Sequence, residues 1–405
     1  MRKPISQVRA RVNQAHVVLT WYKSTPTFQA KDEKTFASFR IYRLETNDFV
    51  FGRDYEEFFF GLSHTSAQLV FEGPLSPTNN RKYTYTDEHV ETGSTYAYFI
   101  QATDAPIVGP VPVRVRDPEI WWSYHTLQTR IQELANIAPD HVKITTCGHT
   151  SAGRNIFCLN IGQGTRTLGL VGLIHAGESG PELIVPALKT LLQIQPELFD
   201  HVRVVAIPGV NLDAREQEAE GTPWYLRTTP GGVDINRNFP SDWQNTEYGY
   251  GLDSSDPDAI TFRGYAPICA SETQAIINTF TQTPPDVLFA YHSLASICGM
   301  PALGSHKGQN NTAYTSKCET FVRQYALGLF PEMPFDPKWL YYGTSAGSLP
   351  AWLYDLGGIP AFDLEARHNS PEAPCIIDQT NRTLLADYQQ RHTRAIANVL
   401  KQLSL

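Results

Sequence analysis

The sequence contains no long uninterrupted apolar run, so nothing in it reads as a segment able to span a bilayer. Positive charge is also in short supply. Its 405 residues carry 33 lysines and arginines against 41 aspartates and glutamates, a formal net charge of -8. With no basic face to neutralise phosphates, nucleic acid is excluded as the main partner. The opening stretch MRKPISQVRARV is basic, but no apolar segment follows it. A secretory leader is therefore not expected and a cytoplasmic location is, with secretion the alternative if a leader was removed. Of the six cysteines, Cys269, Cys298, Cys318 and Cys375 are scattered without metal-ligand spacing. Cys147 and Cys158 flank Ser151-Ala152-Gly153-Arg154 symmetrically and would face each other in a hairpin centred there. A reduced pair is the reading that suits a cytosolic protein, and a disulfide is the alternative.

What is present is length and apolar content, 41% hydrophobic, enough for two domains with real cores. We place them at residues 1–117 and 118–405. Up to about Arg116 the pattern is short strands with period-two alternation: Val8–Val12, His16–Tyr22, Ser38–Leu44, Gln68–Glu72, Lys82–Thr86, Thr95–Ala102 and Val111–Val115. Seven short strands without a helix predict an all-β sandwich. VVLTW (Val17–Trp21), FRIYR (Phe39–Arg43) and the run through Tyr96, Tyr98 and Ala102 resemble a fibronectin type III module. That resemblance implies a core tryptophan at Trp21 and a corner tyrosine at Tyr96. Such a module is expected to bind a protein or a polysaccharide, of unknown identity. Asp54–Leu62 has no place in the seven-strand scheme.

Beyond Asp117-Pro118 the period changes. Leu127, Ile131, Leu134 and Ile137 have helical spacing, and strands then alternate with helices, which predicts an α/β fold with a mixed, mostly parallel sheet flanked by helices. Leu168–Ile174 is an unbroken apolar strand and Leu183–Leu192 a helix, with His175-Ala176-Gly177-Glu178 between them. Open α/β sheets bind ligands beyond the carboxyl ends of their strands. An imidazole and a carboxylate at that place suit zinc, whose catalytic sites take three protein ligands and keep a fourth position for water. Alone, a His and a Glu three residues apart carry little weight. However, the strand Asp286–Tyr291 delivers His292 to the same edge, and the strand Ile359–Leu364 delivers Glu365.

With these residues in view, the chain from about Tyr124 to Leu405 resembles the zinc carboxypeptidases typified by carboxypeptidases A and B. The resemblance rests on HAGE (175–178), GVDINRNFP (Gly232–Pro240), His292-Ser293 and Glu365 in DLEAR, in the family's order. It implies one zinc per chain held by His175, Glu178 and His292. Glu365 is then the catalytic base, for which a salt bridge with Arg367 is the plainer role. Arg227 is the oxyanion arginine, with Arg215 its competitor. Asn236 and Arg237 are implied to grip the free terminal carboxylate of a peptide, because a guanidinium fork pairs with a carboxylate through two parallel bonds. Asn238 is expected to be structural.

YYGTSAGSLPAWLY (Tyr341–Tyr354) resembles the family's mobile-tyrosine segment, which puts the catalytic tyrosine at Tyr342, with Tyr341 its near neighbour. Leu349 then stands at the specificity position, where it has no acidic group and implies an apolar pocket, although Pro350-Ala351 adds a residue before Trp352. The family also implies a cis peptide after Ser293. An inserted helix, Ala313–Leu327, is expected to rim the funnel, and His368 lies close enough to tune Glu365. The expected activity is removal of a C-terminal residue from peptides by a metal-activated water. Two alternatives are an amidohydrolase acting on N-acyl amino acids or γ-D-glutamyl cell-wall peptides, and an inactive binding protein.

Overall fold

The computed structural model describes residues 5–13, 15–23, 38–46, 59, 61–78, 82–103, 105–245, 249, 254–297, 300–365 and 380–405. Of the stretch Asp54–Leu62, therefore, only Phe59, Gly61 and Leu62 are described, and Cys298, Arg367, His368 and Cys375 lie outside. The chain groups into two compact units, Met1–Trp121 with Gln217–Tyr225, and Trp122–Glu216 with Leu226–Leu405.

In the first unit, alternation of apolar and polar residues produces seven strands among the described residues: β1 (Ile5–Asn13), β2 (His16–Lys23), β3 (Phe39–Glu45), β4 (Gln68–Gly73), β5 (Lys82–Asp87), β6 (Thr95–Ala102) and β7 (Val108–Arg114). They form two antiparallel sheets, ordered β1-β2-β5 and β4-β3-β6-β7. Trp21 of one sheet meets Phe39 of the other edge-on at 5.3 Å and stacks on Tyr83 at 6.1 Å. All three belong to one buried core with Leu19, Ile41, Tyr98 and Val113. Contacts of this kind add about 0.5–1.5 kcal/mol per aromatic pair beyond the area they bury. The Tyr96 hydroxyl accepts the Glu91 main-chain N–H at 2.8 Å and so fixes the turn before β6.

The second unit begins with α1 (Tyr124–Ile137), whose cap is Ser123 and whose buried face is Leu127, Ile131 and Leu134. Its sheet comprises β8 (Val142–His149), β9 (Asn155–Ile161), β10 (Arg166–Gly172), β11 (Val202–Ile207), β12 (Val287–Tyr291), β13 (Ala302–Gly304), β14 (Leu340–Tyr342) and β15 (Ala361–Leu364). The spatial order is β14-β13-β15-β12-β10-β11-β9-β8. The central strands β15, β12, β10 and β11 are mutually parallel, and antiparallel pairings flank them. Every residue of β12 and β15 is buried, as strands covered on both faces require. The further helices of eight residues or more are α2 (Pro181–Ile194), α3 (Leu212–Ala219, whose last three residues count with the first unit), α4 (Ser271–Gln282), α5 (Thr312–Leu329), α6 (Leu349–Gly357) and α7 (Arg382–Leu403), and a single helical turn, Leu198–His201, precedes β11. Cys147 and Cys158, on β8 and β9, are free thiols, and burial pushes the Cys158 thiol up to about 12. Among the described residues no helix is long and apolar enough to cross a membrane.

Candidate metal centre

Because β10, β12 and β15 are adjacent and parallel, their carboxyl ends share one edge. His292 follows the last residue of β12 and Glu365 the last of β15, and the His292 N–H bonds the Leu364 carbonyl at 3.0 Å across the two ends. The HAGE turn lies between β10 and α2. At its end Gly180 packs on the strand, where a Cβ would come within 2.5 Å of the Leu173 nitrogen, so no larger residue lets the turn settle there. Arg215, fully buried, donates to the Glu178 carbonyl at 2.6 Å and pairs with Glu182 at 3.1 Å. It braces the turn through both ends of the Glu178–Glu182 segment.

Three ligand atoms converge here. His175 Nδ1, His292 Nδ1 and Glu178 Oε2 stand 2.9 to 3.2 Å from one another, and all three residues are buried. Two imidazole nitrogens and a carboxylate oxygen that close fit a shared cation. A tetrahedral zinc with bonds of about 2.0–2.2 Å holds its ligand atoms roughly 3.3–3.6 Å apart. Burial works against the Glu178 charge, but the two imidazoles outweigh it and hold the carboxyl well below the usual range. The donor set therefore suits a divalent metal of the imidazole and carboxylate class.

The surrounding charges are ordered. Asp234 accepts from His175 Nε2 at 3.2 Å, from the Asn236 main-chain N–H at 2.9 Å and from Arg227 Nε at 2.9 Å. Arg227 Nη1 then reaches 3.5 Å from His175 Nδ1, at the margin of the cluster. Burial raises the Glu365 pKa, Glu178 and Asp363 adding to the rise while His292 opposes it. Arg237 is buried beside Asp234, Asp363 and Glu365 and donates Nη1 to the Asn236 carbonyl at 2.9 Å. Gly347 (φ +68) fits against that arginine's backbone, where a Cβ would meet the Arg237 carbonyl oxygen at 2.2 Å.

The zinc carboxypeptidase family model matches residues 127–370, more than half of the chain. The chain belongs to the zinc carboxypeptidase family. Carboxypeptidase B of Rattus norvegicus is 26% identical over 266 residues, covering 60% of this chain and 62% of that protein. The chain thus spans less than two thirds of that relative's length. Murein peptide amidase A of Escherichia coli is 29% identical over 126 residues, covering 30% of this chain and 48% of its own. The solved carboxypeptidase A of Helicoverpa armigera is 14% identical with a TM-score of 0.58, covering 91% of this chain and 97% of that one, and is similar in fold.

In this zinc carboxypeptidase family member some expected residues lie elsewhere than at the cluster. The Tyr342 hydroxyl donates to the Thr315 carbonyl on α5 at 3.4 Å, and Tyr341 is 60% exposed. Leu349 is fully buried at the start of α6, and its N–H donates to Asn236 Oδ1 at 2.9 Å. The cis peptide expected after Ser293 is absent, Gly109-Pro110 being the cis bond of the described residues. The chain turns there instead through left-handed backbone at Ser293 (φ 55), Ala295 (φ 50) and Ile297 (φ 46). Non-glycine residues, above all a β-branched isoleucine, hold that conformation only where the surroundings enforce it. Here the Ile297 N–H bonds the Glu365 carbonyl at 2.9 Å and the Ala295 N–H bonds the His292 carbonyl at 2.7 Å. Sequence reasoning missed Asp234 and Asp363. Each lies two residues from a residue it did identify, Asn236 and Glu365, but an aspartate there has no distinguishing spacing.

Proposed function

We propose that this chain is a zinc-dependent exopeptidase that releases the C-terminal residue of peptides. The observation that carries the reading is the meeting of His175, Glu178 and His292 at one sheet edge, with Glu365, Arg227 and Arg237 around them. When bound, zinc would polarise the scissile carbonyl and activate a water. In this reading Glu365 accepts the proton of the attacking water and passes it to the leaving amine, and its raised pKa makes it a stronger base than an ordinary carboxylate. Arg227, fixed by Asp234, supplies positive charge for the developing oxyanion. Arg237 grips the terminal carboxylate, and Asn236, whose amide nitrogen gives one of its two hydrogens to Asp363, assists with the other. Tyr342 would reach the substrate only by leaving Thr315, and Leu349, fully buried, would line a side-chain pocket only if the segment around it opened.

The similarity to a murein peptide amidase favours one second reading, hydrolysis of an amide in a cell-wall peptide that also bears a carboxylate. For the first unit we propose a fibronectin type III-like module, supported by its strand order and by the Tyr96 corner. The experiment that tests the enzymatic reading compares a peptide with its C-terminal amide on the parent enzyme and on Arg237→Ala. Removing the anion that faces a buried guanidinium costs about 2–5 kcal/mol. The parent is therefore expected to cleave the acid at least about tenfold faster than the amide. Arg237→Ala should narrow that gap. Equal cleavage of both by the parent would rule out an end-reading enzyme, and cleavage of a γ-D-glutamyl peptide alone would favour the amidase.

A further inference from the structure

Both imidazoles of the cluster turn Nδ1 inward, so in the neutral, metal-binding form each must carry its proton on Nε2. His175 Nε2 has Asp234 for this. His292 Nε2 is buried, has no aligned hydrogen-bond partner, and faces Asp363 Oδ1 at 3.4 Å; that oxygen is likewise buried and unpaired. The other oxygen of Asp363 accepts from Asn236 Nδ2 at 2.9 Å, while the Asn236 main-chain N–H holds Asp234. One residue therefore touches the carboxylates behind both histidines, and its Oδ1 is tied to the Leu349 N–H.

We propose that Asp363 is the orienting carboxylate of His292 and that Asn236 is a positioning residue, clamping Asp363 and Asp234 so that both imidazoles present Nδ1 to the metal. The proposal rests on the reading of His175, Glu178 and His292 as a zinc site, and it gives Asn236 a task separate from gripping substrate. A ligand whose outer N–H is held by a carboxylate is fixed in tautomer and rotation and is a stronger base. Loss of such a partner lowers metal affinity by about 10- to 100-fold. With Asp363→Asn the negative charge is gone, and a single amide oxygen must serve two donors.

The test measures zinc dissociation constants by chelator competition on the full chain, for the parent, Asp363→Asn, Asn236→Ala and the double variant. Cobalt replaces zinc in parallel, and its visible spectrum reports ligand geometry, which a merely structural role would not move. Each single variant should bind zinc about 10- to 100-fold more weakly with an altered cobalt spectrum. The double variant should lose little more than the worse single one, because the two residues act in one chain of bonds. If Asp363→Asn does not fold, Asn236→Ala decides by the same two readings. A parent that binds no zinc overturns the reading of the site itself. A parent that binds zinc beside variants within twofold of it, with unchanged spectra, overturns this inference alone.

Discussion

Glu365 follows the last residue of β15, and its raised pKa has causes that can be named: burial first, then the Glu178 and Asp363 carboxylates, with His292 pulling the other way. As the proposed base, Glu365 is expected to be separable from metal binding. Glu365→Gln keeps the size and loses the proton acceptor, so zinc content should stay at the parent level while turnover falls about 100-fold or more. Elemental analysis beside initial rates checks this, and loss of zinc would make Glu365 a ligand. His175, Glu178, His292 and Glu365 were legible in the chain because each stands next to an apolar run whose end can be located. Asp234 and Asp363 were not. An orienting carboxylate is identified by what it faces across the fold, at 59 and 71 residues' remove from its histidine, and local spacing holds no trace of that.

Among the elements, α7 carries a buried titratable group that the metal site does not use. The His392 ring lies among Tyr291, Tyr325 and Tyr388, with Nδ1 2.7 Å from the Tyr325 hydroxyl and Nε2 2.9 Å from the Leu294 carbonyl. Burial pushes its pKa down to about 4 from the ordinary 6.5, the Leu294 contact opposing the shift and Arg391 adding to it. Well above pH 6.5 the ring is neutral in both folded and unfolded chains, and its burial costs nothing in protonation. As pH falls toward 4 the unfolded chain takes up a proton that the folded chain refuses, so stability drops, by about 2 kcal/mol at pH 5. Denaturant midpoints at pH 7 and pH 5 should show this loss, and His392→Asn should lack it while being less stable at pH 7. An unchanged slope in the variant would clear His392 of the effect. The seven strands of the first unit were readable from alternation and six of the eight in the second from apolar runs, as was the helix after the HAGE turn from its period of 3.6; β13 and β14, three residues each, are too short to leave a pattern. In α7, Leu385, Tyr388, His392, Ala395, Ile396, Val399 and Leu403 share one buried face. A histidine on that stripe disguises a core position as a polar one.

For the molecule as a whole, a metal that binds only the folded chain is stabilising by mass action, about 4 kcal/mol when its free concentration is 1,000 times the dissociation constant. Chelation should therefore lower the melting temperature by roughly 10 °C, at about 2–4 °C per kcal/mol. Readdition of zinc should restore it, and a melting curve blind to chelator would argue that the cluster holds no ion. The change of period near Asp117 was visible in the sequence. The placement of Gln217–Tyr225 with the first unit was not, because it depends on main-chain bonds: the Val12 N–H to the Glu220 carbonyl and the Arg114 N–H to the Gly221 carbonyl, both 2.8 Å. Three peptide connections rather than one thus join the two units along the chain, after Trp121, Glu216 and Tyr225. The amino-terminal module is consequently no detachable cassette. A chain begun at Trp122 would carry Gln217–Tyr225 stripped of its pairing strands, and its soluble yield should fall below that of the intact protein. Recombination that swaps the first 121 residues for another sandwich would have to replace those nine residues with them.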